Sequence, residues 1–205
     1  MRILLAHALR SEAGLIKQFY PRAKRIPGLE PVELIRLSDR FDILRTGIGL
    51  ANTDNALRQI PNPKSYTSII HFGVSGSLSE ALGIGQIIQG QQFLSAGSAS
   101  LELPLASEDK PSSLKQVTFL SSHDPITDED SRQAAVSLGA AAVDMESYSV
   151  AAFCLNLELP LLAIRCISDR AGDSTPEDFK QHYQEAANKL QKYLLQHYHI
   201  SSKGT

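Results

Sequence analysis

Short aliphatic runs alternate with stretches of helical periodicity along this chain, and that alternation constrains the fold more than any other feature. A sheet built from such runs buries both faces only when helices cover both of them, which is the pattern of an α/β protein. The expected fold is therefore a three-layer α/β/α sandwich around a mixed central sheet, formed by a single domain over residues 1–205. Predicted strands are Arg2–His7, Pro31–Leu37, Phe41–Thr46, Thr67–Phe72, Gln86–Gln89, Gln92–Leu94, Gln116–Ser121, Ala141–Val143 and Leu161–Ile167. Predicted helices are Arg10–Phe19, Leu50–Ile60, Asp128–Ser137, Met145–Asn156 and Pro176–His197. The last carries the strongest signals. Thr175 can cap it, Pro176 suits its first turn, Asp178 can close a capping box, and Phe179, Tyr183, Ala186, Leu190 and Leu194 form one apolar stripe. Pro61-Asn62-Pro63-Lys64 and Ser107–Ser113 read as surface loops.

Composition narrows the partner. With 20 basic residues against 22 acidic ones and a net charge of −2, the chain has no electrostatic footprint for nucleic acid or an anionic membrane surface. A small-molecule substrate is expected instead. The opening MRILLAHAL is apolar, but Arg10 and Glu12 end it too early for a signal-peptide core, and no uncharged run approaches the roughly 18 residues of a membrane span. A cytoplasmic location is expected. Cys154 and Cys166 sit among aliphatic residues without a CxxC or paired histidines, so neither a disulfide nor a metal site is expected, and no cofactor is implied.

Three strand ends carry more than a simple turn. Thr67–Phe72 runs into Gly73-Val74-Ser75-Gly76-Ser77, whose glycines permit positive φ or a close backbone approach, although a tight strand-to-loop turn explains them as well. Phe41–Thr46 runs into Gly47-Ile48-Gly49 at the start of a helix. Leu161–Ile167, read as aliphatic throughout, runs into Ser168-Asp169-Arg170-Ala171-Gly172-Asp173. Open α/β sheets bind ligands beyond the carboxyl ends of their strands, so the three endings reinforce one another. A fourth stretch, VDMESYSVAAFC, places Asp144 and Glu146 where a nearly all-apolar helix begins. Free backbone N–H groups and the helix dipole favour one carboxylate there. They do not account for two, because neighbouring buried acids repel unless one finds a partner such as a sugar diol.

The segments SEAGLI, TGIGLANT, HFGVSGSL, VDMESYSVA and IRCISDRAGD resemble, in order and position, those of the nucleoside phosphorylase and nucleosidase superfamily, most closely its 5′-methylthioadenosine/S-adenosylhomocysteine nucleosidases. That resemblance implies a purine nucleoside phosphorylase-like fold, hydrolysis of an adenine nucleoside to adenine and a 5′-modified ribose, no cofactor, and a homodimer. It implies that Glu12 activates water, that Asp169 binds and protonates the purine with Ser168 holding its carboxylate, and that Met145 and Glu146 bind the ribose. Gly73, Val74, Ser75 and Gly76 would line the sugar and water side, Ile48 would face the ligand, and Ile126 and Thr127 would lie along the base. Asp144 would then cap its helix or face solvent. His7 and His71, each near a strand end, could line the site or be structural.

The chain also departs from that family. The segment between Leu94 and Val117 is too short for the usual substrate loop and following helix, Val74 stands where the nucleosidases place a serine, and Ser147 and Tyr148 replace small residues. The 5′ group could be that of methylthioadenosine, S-adenosylhomocysteine, an aminodeoxyfutalosine-type precursor or adenosylhopane. Two alternatives stand beside hydrolysis. One is phosphorolysis, for which Arg10 and Arg45 are the available cations, although Glu12 stands where a phosphate-binding arginine loop would be. The other is non-catalytic nucleoside binding on the same fold.

Overall fold

The computed structural model describes residues 2–29, 32–102 and 113–200. Strand β1 (Ile3–His7) leads into a 3-10 turn (Arg10–Ala13) and helix α1 (Gly14–Gln18), then β2 (Lys24–Arg25), β3 (Glu33–Arg36), β4 (Phe41–Arg45) and α2 (Leu50–Arg58). After a 3-10 turn at Pro63–Ser65 come β5 (Ser68–Ser77), β6 (Ile87–Ser95), β7 (Leu101–Glu102), β8 (Lys115–Ser121), α3 (Glu129–Ser137), β9 (Ala142–Asp144), α4 (Ser147–Leu157), β10 (Leu161–Asp169) and α5 (Thr175–His197).

These strands form one mixed sheet with the order β10-β6-β8-β9-β5-β1-β4-β3-β2, and β7 pairs with β6. The parallel β4, β1, β5 and β10 lie side by side; β4 and β1 end at Arg45 and His7, level with about Phe72 of β5, whereas β5 and β10 run on together to Ser77 and Asp169. Because β10 pairs with β5 as well as β6, and β9 pairs with both β8 and β5, the ladder β5-β10-β6-β8-β9 closes on itself. Alternation along each strand sorts its side chains between two layers. Leu4, Ala6 and Leu44 pack with Ala56 and Leu57 of α2 and Val150, Ala151 and Cys154 of α4. Leu5, Phe41, Ile43, Ile70 and Phe72 pack with Ile16 of α1 and Ala186, Leu190 and Leu194 of α5. The three-layer α/β/α arrangement follows from this period of two. A third cluster joins α3 to the sheet through Ala135, Leu120, Val143, Ile126 and Ala171.

Several expectations are corrected. The Gly73–Ser77 segment is not a loop: β5 continues through it, because β10 and β9 supply partners for its backbone. Neither Gly73 nor Gly76 has positive φ. The two strands predicted at 86–89 and 92–94 are one, β6, whose alternation is broken by a register shift between Gly90 and Gln92. The helix predicted at 10–19 is a 3-10 turn followed by a short α-helix. On α5 the N-cap is Ser174, whose hydroxyl donates to Asp178, while Thr175 accepts a hydrogen bond from the Gly172 N–H at 2.7 Å. The apolar stripe of α5 begins at Ala186 rather than Phe179, which stacks on Tyr183 and is 38% exposed. Pro31, the first residue of one predicted strand, and most of Ser107–Ser113 lie outside the described residues. No helix among the described residues is long and apolar enough to cross a membrane.

Candidate active site

The site forms beyond the ends of β1 and β4, along the last residues of β5 and β10, and two positions on β5 organise it. Glu12 reaches back from the 3-10 turn after β1. Its Oε2 accepts hydrogen bonds from the backbone N–H of Ala8 (3.1 Å) and Leu9 (2.8 Å), and its Oε1 accepts one from Val74 N–H (3.0 Å). A Cβ at position 73 would stand 2.7 Å from Glu12 Oε1, so Gly73 leaves the space that the carboxylate fills. Three residues on, a Cβ at position 76 would stand 2.7 Å from Asp169 Oδ1 and 2.9 Å from Ala171 Cβ. The two glycines are thus close-approach positions for two acids and not turn formers.

Asp169 ends β10. Its Oδ2 accepts a hydrogen bond from the Ser168 hydroxyl (2.8 Å), and its Oδ1 accepts one from Ala171 N–H (3.0 Å). Burial raises its pKa, against the pull of those two hydrogen bonds. Burial also raises the pKa of Glu12, opposed by its backbone donors and by the charge of Arg165.

The second carboxylate of the VDMES stretch is now accounted for. Asp144 is the helix acid: its Oδ1 accepts from the N–H groups of Glu146 (3.3 Å) and Ser147 (3.1 Å) and from the Ser121 hydroxyl (2.7 Å). It caps as expected but does not face solvent, because its Oδ2 accepts from Nε (3.1 Å) and Nη2 (2.8 Å) of Arg165 and also bonds the Ser147 hydroxyl. Glu146 makes no capping bond. Its Oε1 accepts from Gly49 N–H at 2.8 Å, which pins the Gly47-Ile48-Gly49 turn against α4; the φ of 92° at Gly49 is one that glycine adopts without strain. Burial, reinforced by the negative charges of Asp144 and Glu12, pushes the Glu146 pKa up to about 7.

Arg165 was missed in reading the sequence. The run Leu161–Ile167 is not aliphatic throughout, and this arginine is only 1% exposed. Besides Asp144, it donates to the His71 carbonyl (3.2 Å), to the ring Nδ1 of His71 (2.9 Å) and to the Ser147 hydroxyl (2.9 Å). A cation in the middle of an apolar strand is the signal that could have found it, since a buried charge requires a partner. His71 accepts from that guanidinium, and burial and the adjacent positive charge hold it neutral. His7 is buried, donates from Nδ1 to the Leu9 carbonyl (2.8 Å), and has its pKa pushed down by burial to about 3. Both histidines are built into the scaffold.

The remaining predicted positions fall around these acids to different degrees. Met145 is half-buried, Ile48 is 47% exposed beside the turn that Glu146 holds, Ile126 is buried against Val143 and Ala171, and Thr127 is exposed. Val74 packs into the layer under α5. Ser75 is buried with no partner for its hydroxyl among the described residues. Both cysteines are free and buried, and no cluster of metal-ligating side chains occurs among the described residues. Of the cations considered for phosphate, Arg45 is paired with Glu33 at 3.1 Å and Arg10 is exposed.

Comparisons with known proteins bear on the fold and on part of the sequence. The family model of the Phosphorylase superfamily matches residues 99–197. A 5′-methylthioadenosine/S-adenosylhomocysteine nucleosidase of Colwellia psychrerythraea strain 34H is 38% identical over 55 residues, which is 27% of this chain and 23% of that protein. Among solved structures, the 5′-methylthioadenosine/S-adenosylhomocysteine nucleosidase of Helicobacter pylori superposes with a TM-score of 0.85 at 19% identity, covering 97% of this chain and 98% of that one. The futalosine hydrolase of Helicobacter pylori superposes with a TM-score of 0.82 at 20% identity, covering 95% of each. The Colwellia nucleosidase in complex with adenine gives 0.82 at 20% identity, covering 100% of this chain and 97% of that one. The family model thus matches just under half of the chain, and the solved structures share its fold.

Proposed function

We propose that the chain is an N-glycosyl hydrolase that releases adenine from a 5′-modified adenine nucleoside. The observation that carries this reading is the pair of buried carboxylates, Glu12 and Asp169, seated against Gly73 and Gly76 of one strand, with a third buried carboxylate, Glu146, held by the Gly49 N–H. Cleaving the glycosidic bond develops positive charge on the ribose and negative charge on the departing purine, so the reaction needs a base at water and an acid at the purine. In this reading Glu12 takes a proton from water as the water oxygen bonds to the anomeric carbon. The bond from that carbon to purine N9 breaks, its electron pair leaves with the base, and Asp169 supplies the proton that neutralises N7. Burial raises the pKa of Asp169, which favours the protonated form such a donor requires. Glu146 holds the ribose hydroxyls with the oxygen that Gly49 leaves free, beside Met145. Asp169 suits a 6-amino purine because it accepts from the amine.

The names of the similar proteins support this class, as does the pairing of Arg45 and Arg165 with Glu33 and Asp144, which leaves neither cation for phosphate. A single domain, a homodimeric assembly and a cytoplasmic location belong to the same proposal. The test is incubation with a panel of adenine nucleosides bearing thioether, amino acid-containing and carboxylated 5′ groups, with and without phosphate. Adenine release without phosphate, together with an unphosphorylated 5′-modified ribose as the sugar product, is expected. A phosphate-dependent rate giving ribose 1-phosphate would establish phosphorolysis instead, and adenine binding without turnover would establish a binder.

A further inference from the structure

Gln191 lies in the apolar stripe of α5, beside Leu190 and Leu194, and is completely buried. A buried carboxamide is costly unless it is hydrogen-bonded, and this one uses both of its donors and both of its acceptor positions. Its Oε1 accepts from the backbone N–H groups of Leu15 (2.8 Å) and Ile16 (3.4 Å), and its Nε2 donates to the carbonyls of Ser11 (3.1 Å) and Ala187 (3.2 Å). Leu15 and Ile16 belong to the first turn of α1, which receives no side-chain cap from Ala13, so α5 supplies the cap from 176 residues away. Nearer the start of α5, the Tyr183 hydroxyl is hydrogen-bonded to the Ser11 hydroxyl. Ser11 and Leu15 flank Glu12, so α5 grips the chain on both sides of that acid. Glu12 depends on such support. Its carboxylate accepts from the N–H groups of Ala8, Leu9 and Val74 only while the turn that carries it keeps its place against β5. The 3-10 turn and α1 together span only Arg10–Gln18, well short of the roughly 12–15 residues that an isolated helix needs to be stable by itself.

We propose that Gln191 and Tyr183 are positioning residues for the water-activating acid: α5 sets the place of the Glu12 carboxylate by clamping the turn that carries it. This rests on the nucleosidase reading above and adds to it, because neither side chain takes a proton or binds the substrate. A reacting group displaced by a fraction of its proper distance loses rate while the bound substrate is held as before, so the clamp acts on turnover and not on binding.

The test compares wild type with Tyr183→Phe, which removes the hydroxyl and keeps the ring that stacks on Phe179, and with Gln191→Met, which keeps the length and removes the hydrogen bonds. Three properties are measured: kcat and KM for adenine release from methylthioadenosine, the affinity for free adenine, and amide hydrogen exchange by NMR at Ala8, Leu9 and Val74, whose N–H groups donate to Glu12. The expected fall in kcat is roughly tenfold for Tyr183→Phe, the effect of one lost hydrogen bond, and roughly 10²-fold for Gln191→Met, the effect of a misplaced reacting group. KM and adenine affinity should not change, and exchange should quicken at those three amides while Leu44 and Ile164, inside β4 and β10, keep their protection. A purely structural role would instead quicken exchange throughout the sheet and leave kcat per folded site unchanged. Unchanged kcat in both variants would overturn the inference and leave the nucleosidase reading standing; so would a loss of adenine affinity parallel to that of kcat, or exchange that quickens uniformly. If Gln191→Met does not fold, Tyr183→Phe decides the question alone. If wild type releases no adenine from any nucleoside, the nucleosidase reading fails by itself, and the exchange comparison then shows whether α5 holds Glu12: without selective quickening at Ala8, Leu9 and Val74, the clamp is overturned too.

Discussion

Replacing Glu146 by glutamine should stabilise the protein in a pH-dependent way. The Glu146 carboxyl is buried near Asp144 and Glu12, and its pKa rises from an ordinary 4.5 to about 7. Below pH 4.5 the carboxyl is protonated in both folded and unfolded chains, and the group imposes no penalty. As pH rises, the unfolded chain ionises first, so stability contributed by the protonated form is lost progressively until the folded group ionises near pH 7, after which the loss is constant. At about 1.4 kcal/mol per pH unit, the displacement corresponds to about 3 kcal/mol. Glutamine keeps an amide oxygen for the Gly49 N–H but carries no charge. The melting temperature of Glu146→Gln relative to wild type should therefore climb between pH 4.5 and pH 8. At roughly 2–4 °C per kcal/mol for a chain of this size, the climb is about 6–12 °C. Differential scanning calorimetry or fluorimetry of the two proteins across that range reads it directly. A difference that stays flat with pH would refute the reasoning, as would one that falls. The same substitution should lower the affinity for ribonucleosides more than for 2′-deoxynucleosides, since a neutral amide is a poorer acceptor for two sugar hydroxyls, and the binding comparison checks this.

Other perturbations test the rest of the site. Asp169→Asn should lower turnover by roughly 10²–10⁴ in a steady-state adenine-release assay, because it keeps the shape and removes the acid; unchanged turnover would exclude Asp169 from proton transfer. Glu12→Gln should abolish nearly all turnover while titration calorimetry still detects ligand binding. Gly73→Ala should likewise impair turnover more than adenine binding, since its Cβ would displace the Glu12 carboxylate from 2.7 Å. Arg165→Met should leave Asp144 buried without its cation and cost about 3–5 kcal/mol in a denaturant titration, much more than a surface arginine; a loss below 1 kcal/mol would mean the pair is solvated.

The positions of most strands and helices were legible because they rest on local periodicity; at VDMES the residues showed only that the helix start accounts for one acid and not two, and the resemblance named Glu146 as the other. Adjacent acids at a helix start cannot both serve the same free N–H groups, and the structure assigns Asp144 to them and leaves Glu146 to the Gly47-Ile48-Gly49 turn. That Glu12, Glu146 and Asp169 serve one site was implied by the family resemblance, whereas the ligand-binding end of an open sheet pointed only to the segments Gly47-Ile48-Gly49, Gly73–Ser77 and Ser168–Asp173.

Tertiary structure decided whatever depended on a partner distant in the chain. Gly73–Ser77 looks like a loop by composition, and it is strand only because β10 and β9 satisfy its backbone on both sides. Its glycines have the local signature of a turn, yet their necessity comes from carboxylates that originate 61 and 93 residues away along the chain. Arg165 is visible as a letter in an apolar run, but its meaning lies in Asp144, Ser147 and His71, which fold against it from the end of β9, the start of α4 and β5. The pKa of Glu146 belongs wholly to this second level, because desolvation and like-charge repulsion exist only after the sheet and α4 have closed around the group. Periodicity fixes which residues a strand or helix turns inward; the charges and hydrogen bonds those residues then meet are set by the packing of segments that the sequence holds apart.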